Sequence, residues 1–295
     1  MNREAPATYA LVTPTRDELV NLQRLARCLE EQTVQPQTWI IVDNGSVDGT
    51  LGVAHELEER VPWVAALSAL GTRAAEPGAP IVRAFHHGLG ALTGEPDVVV
   101  KLDADVSVEP DYFERLLQAF TKDPSLGITS GVCYEERDGN WTPTYVTRSH
   151  VRGATRAYRW QCLQDVLPLE ERVGWDGIDE LKANVHGWRT EIVGDLAFYH
   201  HRALGSRDGA RSARWVRQGS AAHYMGYRFV YLVLRTLHHA RRDPAALAML
   251  YGYLAAWLRR APQHQDDRVR RQLRDRQSLR NLRARRREAL GRQPH

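Results

Sequence analysis

The sequence predicts an α/β fold with a mainly parallel sheet. Apolar runs alternate with segments of helical periodicity through the first half of the chain. Three strand-like runs end in polar clusters, at Thr13–Thr15, Asp43–Ser46 and Asp103–Asp105. Alternating strands and helices are typical of parallel sheets, in which ligands bind beyond the carboxyl ends of the strands. The clusters therefore predict a binding site along one edge of the sheet.

The elements of the first half follow from local patterns. YALVTPT (9–15) predicts a strand, and the next segment carries leucines at helical spacing from Leu19 to Leu29. TWIIVDNGS predicts a second strand ending in a turn, because Asn44-Gly45 adopts positive φ at little cost. We expect a helix over 50–60, an extended piece near 63–69 and a strand over 97–102.

The pattern loosens beyond residue 125. GITSGVCYEE predicts a strand, YRWQCLQDVLPL a helix, and GWDGIDELKANVHGWRTEIV a loop, a helix and a return strand. After residue 220, FVYLVLRTLHH and PAALAMLYGYLAAWLRRAP predict apolar helices that carry Arg or His at their C-terminal ends.

Composition indicates an ordinary globular protein. The 295 residues are 43% hydrophobic and 26% charged, which allows a large core. No apolar run approaches the ~20 residues of a membrane-spanning helix. The start, MNREAPATYA, lacks the pattern of a signal peptide. Cys28, Cys133 and Cys162 are widely spaced without a CxxC pair, so we expect a reducing compartment, the cytoplasm, and no structural zinc.

Basic charge is concentrated at the C-terminus. The formal net charge is +4, but residues 268–295 hold eleven arginines against Asp275 and Glu288. The rest of the chain is net acidic, so the basic character belongs to the tail.

Asp103 and Asp105 form an Asp-x-Asp pair after the apolar run VVVKL. Such a pair suits a hard divalent cation, Mn²⁺ or Mg²⁺, which prefers oxygen ligands and often bridges to substrate phosphates. The alternative is a surface turn with two solvated aspartates. The alignment of the pair with two other polar strand ends favours the metal.

The segment VDNGSVDGT (42–50) is the second candidate. Asp43 at the strand tip can accept a hydrogen bond from a nucleobase N–H, and the following turn and helix start can face phosphate. The alternative is a strand-turn-helix junction in which Asp48 or Thr50 caps the helix. Neither GxGxxG nor GxxxxGK[ST] is present, which removes the commonest other nucleotide-binding motifs.

Together these segments resemble the family 2 glycosyltransferases, inverting enzymes of the GT-A fold. The resemblance covers roughly residues 8–210. It is carried in order by TPTRDE, VDNGSVDGT, VRAFHHGLGALTGEPDVVVKLDADV, GWDGIDELKANVHGW and FYHHRALGS. It implies a Rossmann-like sheet, a nucleotide-diphosphate sugar donor with a UDP-sugar favoured, and Mn²⁺ or Mg²⁺ as cofactor.

The resemblance also implies residue roles. Asp105 would ligate the metal with His200, or with His201 as the alternative, and Asp179 would be the general base. Asp176 or Glu180 is the alternative base. The residues implied to bind the nucleotide are Thr13, Glu18, Asp43, Asn44, Arg83 and Asp103. Trp175 could stack on an acceptor sugar, whereas His86 and His87 are expected on a structural helix.

One motif departs from the family pattern. Processive members carry Q-x-x-R-W, whereas SARWVRQGS keeps Arg214-Trp215 and has Arg211 where the glutamine would stand. With no membrane spans predicted, this favours transfer of a single sugar.

We expect a catalytic domain over 1–220, divided into a nucleotide-sugar half (8–106) and an acceptor half (107–220). Amphipathic helices over 221–262 and an arginine-rich tail over 263–295 would follow. These last regions would contact the inner face of a membrane peripherally, or pack on the catalytic domain or on a second subunit as a homodimer. The tail lacks aromatic residues, so nucleic acid is not an expected partner.

The predicted function is sugar transfer from a nucleotide-diphosphate donor to a glycan or lipid-linked acceptor, in cell-envelope or secondary-metabolite glycan synthesis. The alternatives are a sugar-phosphate nucleotidyltransferase and a non-catalytic adaptor on a membrane or RNA. TPTRDELVN lacks the glycine-rich loop and lysine of the nucleotidyltransferases.

Overall fold

The computed structural model describes residues 7–69, 78–144, 150–201 and 211–278. The strands are β1 (Tyr9–Thr15), β2 (Thr38–Asp43), β3 (Val64–Ser68), β4 (Val98–Leu102), β5 (Val106–Val108), β6 (Leu126–Arg137), β7 (Asn140–Pro143), β8 (Thr155–Arg159) and β9 (Arg189–His200). The helices are α1 (Leu19–Glu30), α2 (Thr50–Arg60), α3 (Ala79–Gly90), α4 (Tyr112–Lys122), α5 (Trp160–Val166), α6 (Trp175–Val185), α7 (Arg211–Tyr224), α8 (Phe229–Ala240), α9 (Ala248–Leu258) and α10 (Asp267–Arg276).

The strands form one sheet in the order β3-β2-β1-β4-β8-β6-β9-β5, with β7 paired to β6. β3, β2, β1 and β4 are parallel, as the alternation of strands and helices predicted. β8 runs antiparallel beside β4, and β5 runs antiparallel beside β9. The α/β fold is therefore confirmed, with antiparallel pairs in the second half of the sheet.

Helices cover both faces of the sheet. The leucines of α1 pack on one face together with α4, and α3, α5 and α6 pack on the other. All five residues of β4 are buried, which explains why its sequence is apolar at every position except Lys101 rather than alternating. His86 and His87 lie on α3, as expected.

The C-terminal helices pack on the rest of the chain. Val269 and Leu273 of α10 join Ile178 and Leu181 of α6 in one buried cluster. The predicted boundary near residue 262 therefore falls inside a packed unit, because α10 covers part of α6. In the described residues, no helix is long and apolar enough to cross a membrane.

Helices α7 and α9 cross closely at two glycines. A Cβ atom on Gly219 would lie 2.0 Å from the Met249 carbonyl oxygen, and one on Gly252 would lie 2.0 Å from the Val216 carbonyl oxygen. Because the obstructing atoms belong to the backbone, they cannot move aside as a flexible side chain would.

We predict that Gly219→Ala lowers the free energy of unfolding by about 3 kcal/mol, toward the upper end of the usual cost of overpacking. Gly52→Ala is the matched control, because Gly52 lies inside α2 with nothing within 4 Å of its added Cβ. Ala is the better helix former, so this control should stabilise the protein by up to about 1 kcal/mol. Urea unfolding measures the free energy of unfolding of both variants. Equal changes in the two variants would contradict the close approach of α7 and α9.

Candidate active site

Three strand ends meet at one edge of the sheet. Thr15 at the end of β1 pairs with Asp43 at the end of β2, and β4 on the other side of β1 leads directly into Asp103. With strands about 4.8 Å apart, Asp43 and Asp103 lie about 10 Å from each other. The edge predicted from the sequence therefore exists in the structure.

Asp43 presents one unsatisfied oxygen. Its Oδ2 accepts hydrogen bonds from the backbone N–H groups of Gly45 and Ser46, both at 3.1 Å. Its Oδ1 is buried and has no hydrogen-bond partner among the described residues. A buried carboxylate oxygen without a donor is costly, so this atom is suited to accept an N–H from a ligand.

Hydrogen bonds join the loop after β2 to the start of α1. The Glu18 N–H donates to Thr50 Oγ1, and the Leu19 N–H donates to Asp48 Oδ2. Glu18 is buried and its carboxylate accepts from the Asn21 amide. Asn44, also buried, donates its N–H to the Thr15 carbonyl. These contacts hold Glu18 against the start of α2 and Asn44 against the end of β1.

Two predicted nucleotide contacts lie elsewhere. The Thr13 hydroxyl is fully buried and accepts the indole N–H of Trp39. Arg83 points from α3 to Glu171, with which it forms an ion pair. The Thr13 hydroxyl and the Arg83 Nε–H group are thus engaged within the protein, and their roles in nucleotide binding stay predictions.

Lys101, which sequence reasoning missed, binds Asp103. Its ammonium is 3% exposed and donates to the carboxylate of Asp103 and to the carbonyl of Gly153. Burial and the neighbouring Asp105 raise the pKa of Asp103, while Lys101 lowers it. The signal was present in the sequence: residues two apart on a strand share a face, so a lysine within VVVKL could reach Asp103.

Asp105 and His200 form the central pair. Asp105 Oδ1 lies 3.2 Å from His200 Nε2, and both side chains are largely buried. Burial alone would lower the pKa of His200, but the hydrogen bond to Asp105 and the negative charges of Asp105, Asp103 and Glu135 together raise that pKa. Adjacent ligands at about 2.1 Å from an octahedral ion lie about 3 Å apart, so this pair fits a single Mn²⁺ or Mg²⁺.

Two further residues that the sequence analysis did not assign lie beside His200. One ligand atom each from Cys133, Glu135 and His200 fall within 4.8 Å of one another. Glu135 pairs with Arg152 at 3.1 Å, and burial raises the pKa of the Cys133 thiol to about 11. A protonated thiol is a poor ligand for a hard cation, so the donor set favours Asp105 and His200.

His201 faces away from this pair, because adjacent side chains on a strand point to opposite faces. Its Nε2 lies 2.8 Å from Ser107 Oγ, and its ring packs edge-on against Trp141. Of the two histidines, the structure brings His200 to Asp105.

Asp179 lies in a fully buried ion pair. Its Oδ1 accepts from Arg156 at 2.5 Å, and its Oδ2 accepts from Arg156 at 2.9 Å and from the Tyr158 hydroxyl at 2.5 Å. Asp179 is 1% exposed and Arg156 0%. Burial raises the pKa of Asp179 to about 6, although Arg156 lowers it. Both carboxylate oxygens are occupied, so this residue joins α6 to β8.

The other carboxylates of α6 differ in their contacts. Glu180 is buried and accepts the N–H of Val151. Asp176, in the first turn, is half-buried, and within the described residues its carboxylate makes no hydrogen bond or ion pair. Of the three acids considered from the sequence, Asp176 alone has both a partly exposed side chain and an unoccupied carboxylate.

Trp175 is only 9% exposed. The ammonium of Lys101 and the guanidinium of Arg156 each lie 5.7 Å from its ring centroid. The ring is therefore buried beside these two cations, which argues against an open platform for an acceptor sugar. It also connects the start of α6 to the residues around Asp103.

A family model described as glycosyl transferase family 2 matches residues 10–168, more than half of the chain. The chain belongs to this family. It is a glycosyltransferase, and its sheet with flanking helices is the GT-A fold that the resemblance implied.

Solved glycosyltransferases share the fold of this glycosyltransferase. Mannosyltransferase PcManGT from Pyrobaculum calidifontis, solved with GDP-Man and Mn²⁺, is 16% identical with a TM-score of 0.60, over 95% of this chain and 88% of that one. S. aureus TarS 1-349 with UDP-GlcNAc is 17% identical with a TM-score of 0.54, over 84% and 73%. A longer TarS structure is 18% identical with a TM-score of 0.51, over 73% of this chain and 39% of that one. The glycosyltransferase therefore spans well under half the length of the longer TarS chain, and these similarities show the fold alone.

We predict that Asp179→Asn lowers the free energy of unfolding of the glycosyltransferase by about 3–5 kcal/mol, because the fully buried Arg156 would lose its closest charged partner and keep only the ion pair with Glu180 at 3.5 Å. Asp195→Asn is the control: Asp195 pairs with Arg115 at 2.7 Å but is 81% exposed. Exposed pairs contribute at most about 1 kcal/mol. Urea unfolding compares the two, and similar losses would contradict a structural role for Asp179.

Proposed function

We propose that this glycosyltransferase moves a sugar from a nucleotide-diphosphate donor, a UDP-sugar in the first instance, to a hydroxyl of a glycan or lipid-linked acceptor. The reaction inverts the anomeric centre and depends on Mn²⁺ or Mg²⁺. Cell-envelope or secondary-metabolite glycan synthesis is the proposed setting.

The observation that carries this proposal is the pairing of Asp105 with His200 at the same sheet edge as Asp43. A carboxylate and an imidazole 3.2 Å apart suit one divalent cation. Two strands away, the unsatisfied Oδ1 of Asp43 suits a nucleobase N–H. Together they match the two ends of a nucleoside diphosphate.

On the donor side, Asp105 and His200 would hold the cation, while Lys101 keeps the Asp103 carboxylate oriented beside them. When bound, the cation supplies charge that offsets the negative charge of the leaving diphosphate. Asp43 fixes the base, and the backbone bonds to its Oδ2 keep Oδ1 directed at the ligand.

On the acceptor side, a single displacement needs a carboxylate that takes the proton of the attacking hydroxyl. We assign this role to Asp176 rather than to Asp179, because Arg156 and Tyr158 occupy both oxygens of Asp179. Trp175 packs on Lys101, which keeps the first turn of α6 near the donor-side residues.

Calorimetric titration with UDP, GDP and dTDP, each with and without Mn²⁺, tests the donor side. We expect one nucleotide to bind with Mn²⁺, and Asp105→Asn to weaken that binding at least tenfold because the cation loses a charged ligand. Asp111→Asn is the control, since this aspartate is half exposed and lies just before α4. If no nucleotide binds under any condition, the proposed function is wrong and a non-catalytic adaptor is favoured.

Turnover of the donor found by calorimetry tests the base. Asp176→Asn should lower kcat by about 10²–10⁴-fold, the usual contribution of general base catalysis, with nucleotide affinity unchanged. Asp179→Asn, assayed at a temperature at which it is folded, should stay within tenfold of the unmodified enzyme. If Asp179→Asn lowers kcat by this amount and Asp176→Asn does not, Asp179 is the base. Proton NMR of the first product formed reports whether the anomeric centre is inverted.

A further inference from the structure

Helices α8 and α9 expose an unusual number of large apolar side chains. On α8, Val230, Leu234 and Leu237 are 64%, 47% and 52% exposed, at helical spacings of four and three. On α9, Tyr251, Leu254 and Leu258 are 64%, 41% and 72% exposed, at spacings of three and four. Single exposed apolar residues are ordinary, but a stripe on each of two adjoining helices indicates a binding surface.

The α8–α9 face consists of those six residues together with Phe229, Leu247 and Trp257. These three additional residues are 48%, 53% and 60% exposed. The ring of Phe229 lies 5.9 Å from Tyr253, which brings the start of α8 to α9. The opposite sides of both helices are already packed, through Leu232 of α8 and through Gly252 of α9, where α7 crosses. The two helices are thus fixed to the protein by one side and present the other outward.

Positive charge surrounds this face. Residues 221–262 contain six arginines and a single acidic residue, Asp243. Its carboxylate accepts from the indole of Trp215 and the N–H of Ala245. The arginine pairs 241–242 and 259–260 are exposed at the C-terminal ends of α8 and α9.

We propose that the α8–α9 face docks onto an anionic lipid bilayer, with both helices lying in the interface. Apolar side chains would enter the boundary between headgroups and acyl chains, and the arginine pairs would contact anionic headgroups. With 11 residues, α9 is about 16 Å long, too short for a hydrocarbon core of about 30 Å.

Charge favours a bilayer over a second copy of the chain. In a symmetric dimer the same patch meets itself, so the arginine pairs of both copies would converge around one apolar contact. Residues 221–262 contain one acidic residue that could balance these arginines, Asp243, and its carboxylate already accepts a hydrogen bond from Trp215. An anionic bilayer supplies the opposite charge over its whole surface.

The docking face is also connected to the acceptor side of the site. Met225, at the end of α7, packs in one cluster with Ile178 and Leu181 of α6, and its methyl group lies 3.5 Å from where a Cβ of Gly177 would be. Docking would therefore hold α6, with Asp176 in its first turn, near the membrane, where a lipid-linked acceptor lies. This last step rests on the proposed function, whereas docking itself does not.

The test is co-sedimentation of the full chain with vesicles of phosphatidylcholine alone or with 30% phosphatidylglycerol, at about 0.1 M salt. No nucleotide is added, so the result is independent of catalysis. We expect binding to the anionic vesicles and at least tenfold weaker binding for Leu254→Gln/Leu258→Gln. The control Val20→Gln, at a 65% exposed site on α1, should bind as the unmodified chain does.

A charge variant separates the two contributions. Arg241→Gln/Arg242→Gln should weaken binding to anionic vesicles severalfold, whereas Arg27→Gln/Lys122→Gln, which removes two exposed charges from α1 and α4, should not. Circular dichroism verifies that each variant is folded.

Absence of vesicle binding by the unmodified chain, or equal binding by the Leu254/Leu258 variant, would overturn the proposal. A dimer that the leucine variant dissociates, with no vesicle binding, would assign the face to a second copy.

Discussion

The gathering of carboxylates at one sheet edge is the constraint on which the rest of the site depends. Asp43, Asp103 and Asp105 end up together because β2, β1 and β4 are parallel neighbours. Like charges in a partly buried place repel, so each must be compensated. Backbone N–H groups donate to Asp43, the ammonium of Lys101 donates to Asp103, and the imidazole of His200 pairs with Asp105. Among the described residues, Asp43 Oδ1 has no hydrogen-bond partner, whereas Asp105 and His200 already lie side by side at a spacing that fits one divalent cation.

A second buried charge pair, Arg156 and Asp179, fixes α6 to the sheet. Arg156 lies on β8, the strand between β4 and β6, and donates to Asp179 through two guanidinium nitrogens. It also donates to the carbonyl of Asp176, so the first turn of α6 is held to the sheet at two points. The partly exposed carboxylate of Asp176, the proposed base, therefore lies on a helix start that is fixed to the sheet, and a fixed position favours general base catalysis.

In our two proposals, the C-terminal helices connect the catalytic residues to the membrane. Through Met225 and the side chains of α10, they pack on the same helix that presents Asp176. A surface that binds a bilayer would thereby place the acceptor side of a family 2 glycosyltransferase at a fixed height above the lipid. The proposed donor-side residues lie at the end of β2 (Asp43), just after β4 (Asp103 and Asp105) and at the end of β9 (His200).

The sequence by itself determined the α/β fold, the polar edge and the family. Strand-ending clusters and helical leucine spacing depend on local periodicity, which one sequence displays directly. It left His200 and His201 as alternative metal ligands, and the structure brings His200 to Asp105. Only the tertiary structure decided which side chains are already occupied. Thr13 is bound to Trp39, Arg83 to Glu171 and Asp179 to Arg156, and the partners lie between 23 and 88 residues away. Such pairings follow from strand order and helix packing, in which distant segments become neighbours, and no local pattern in the chain encodes them.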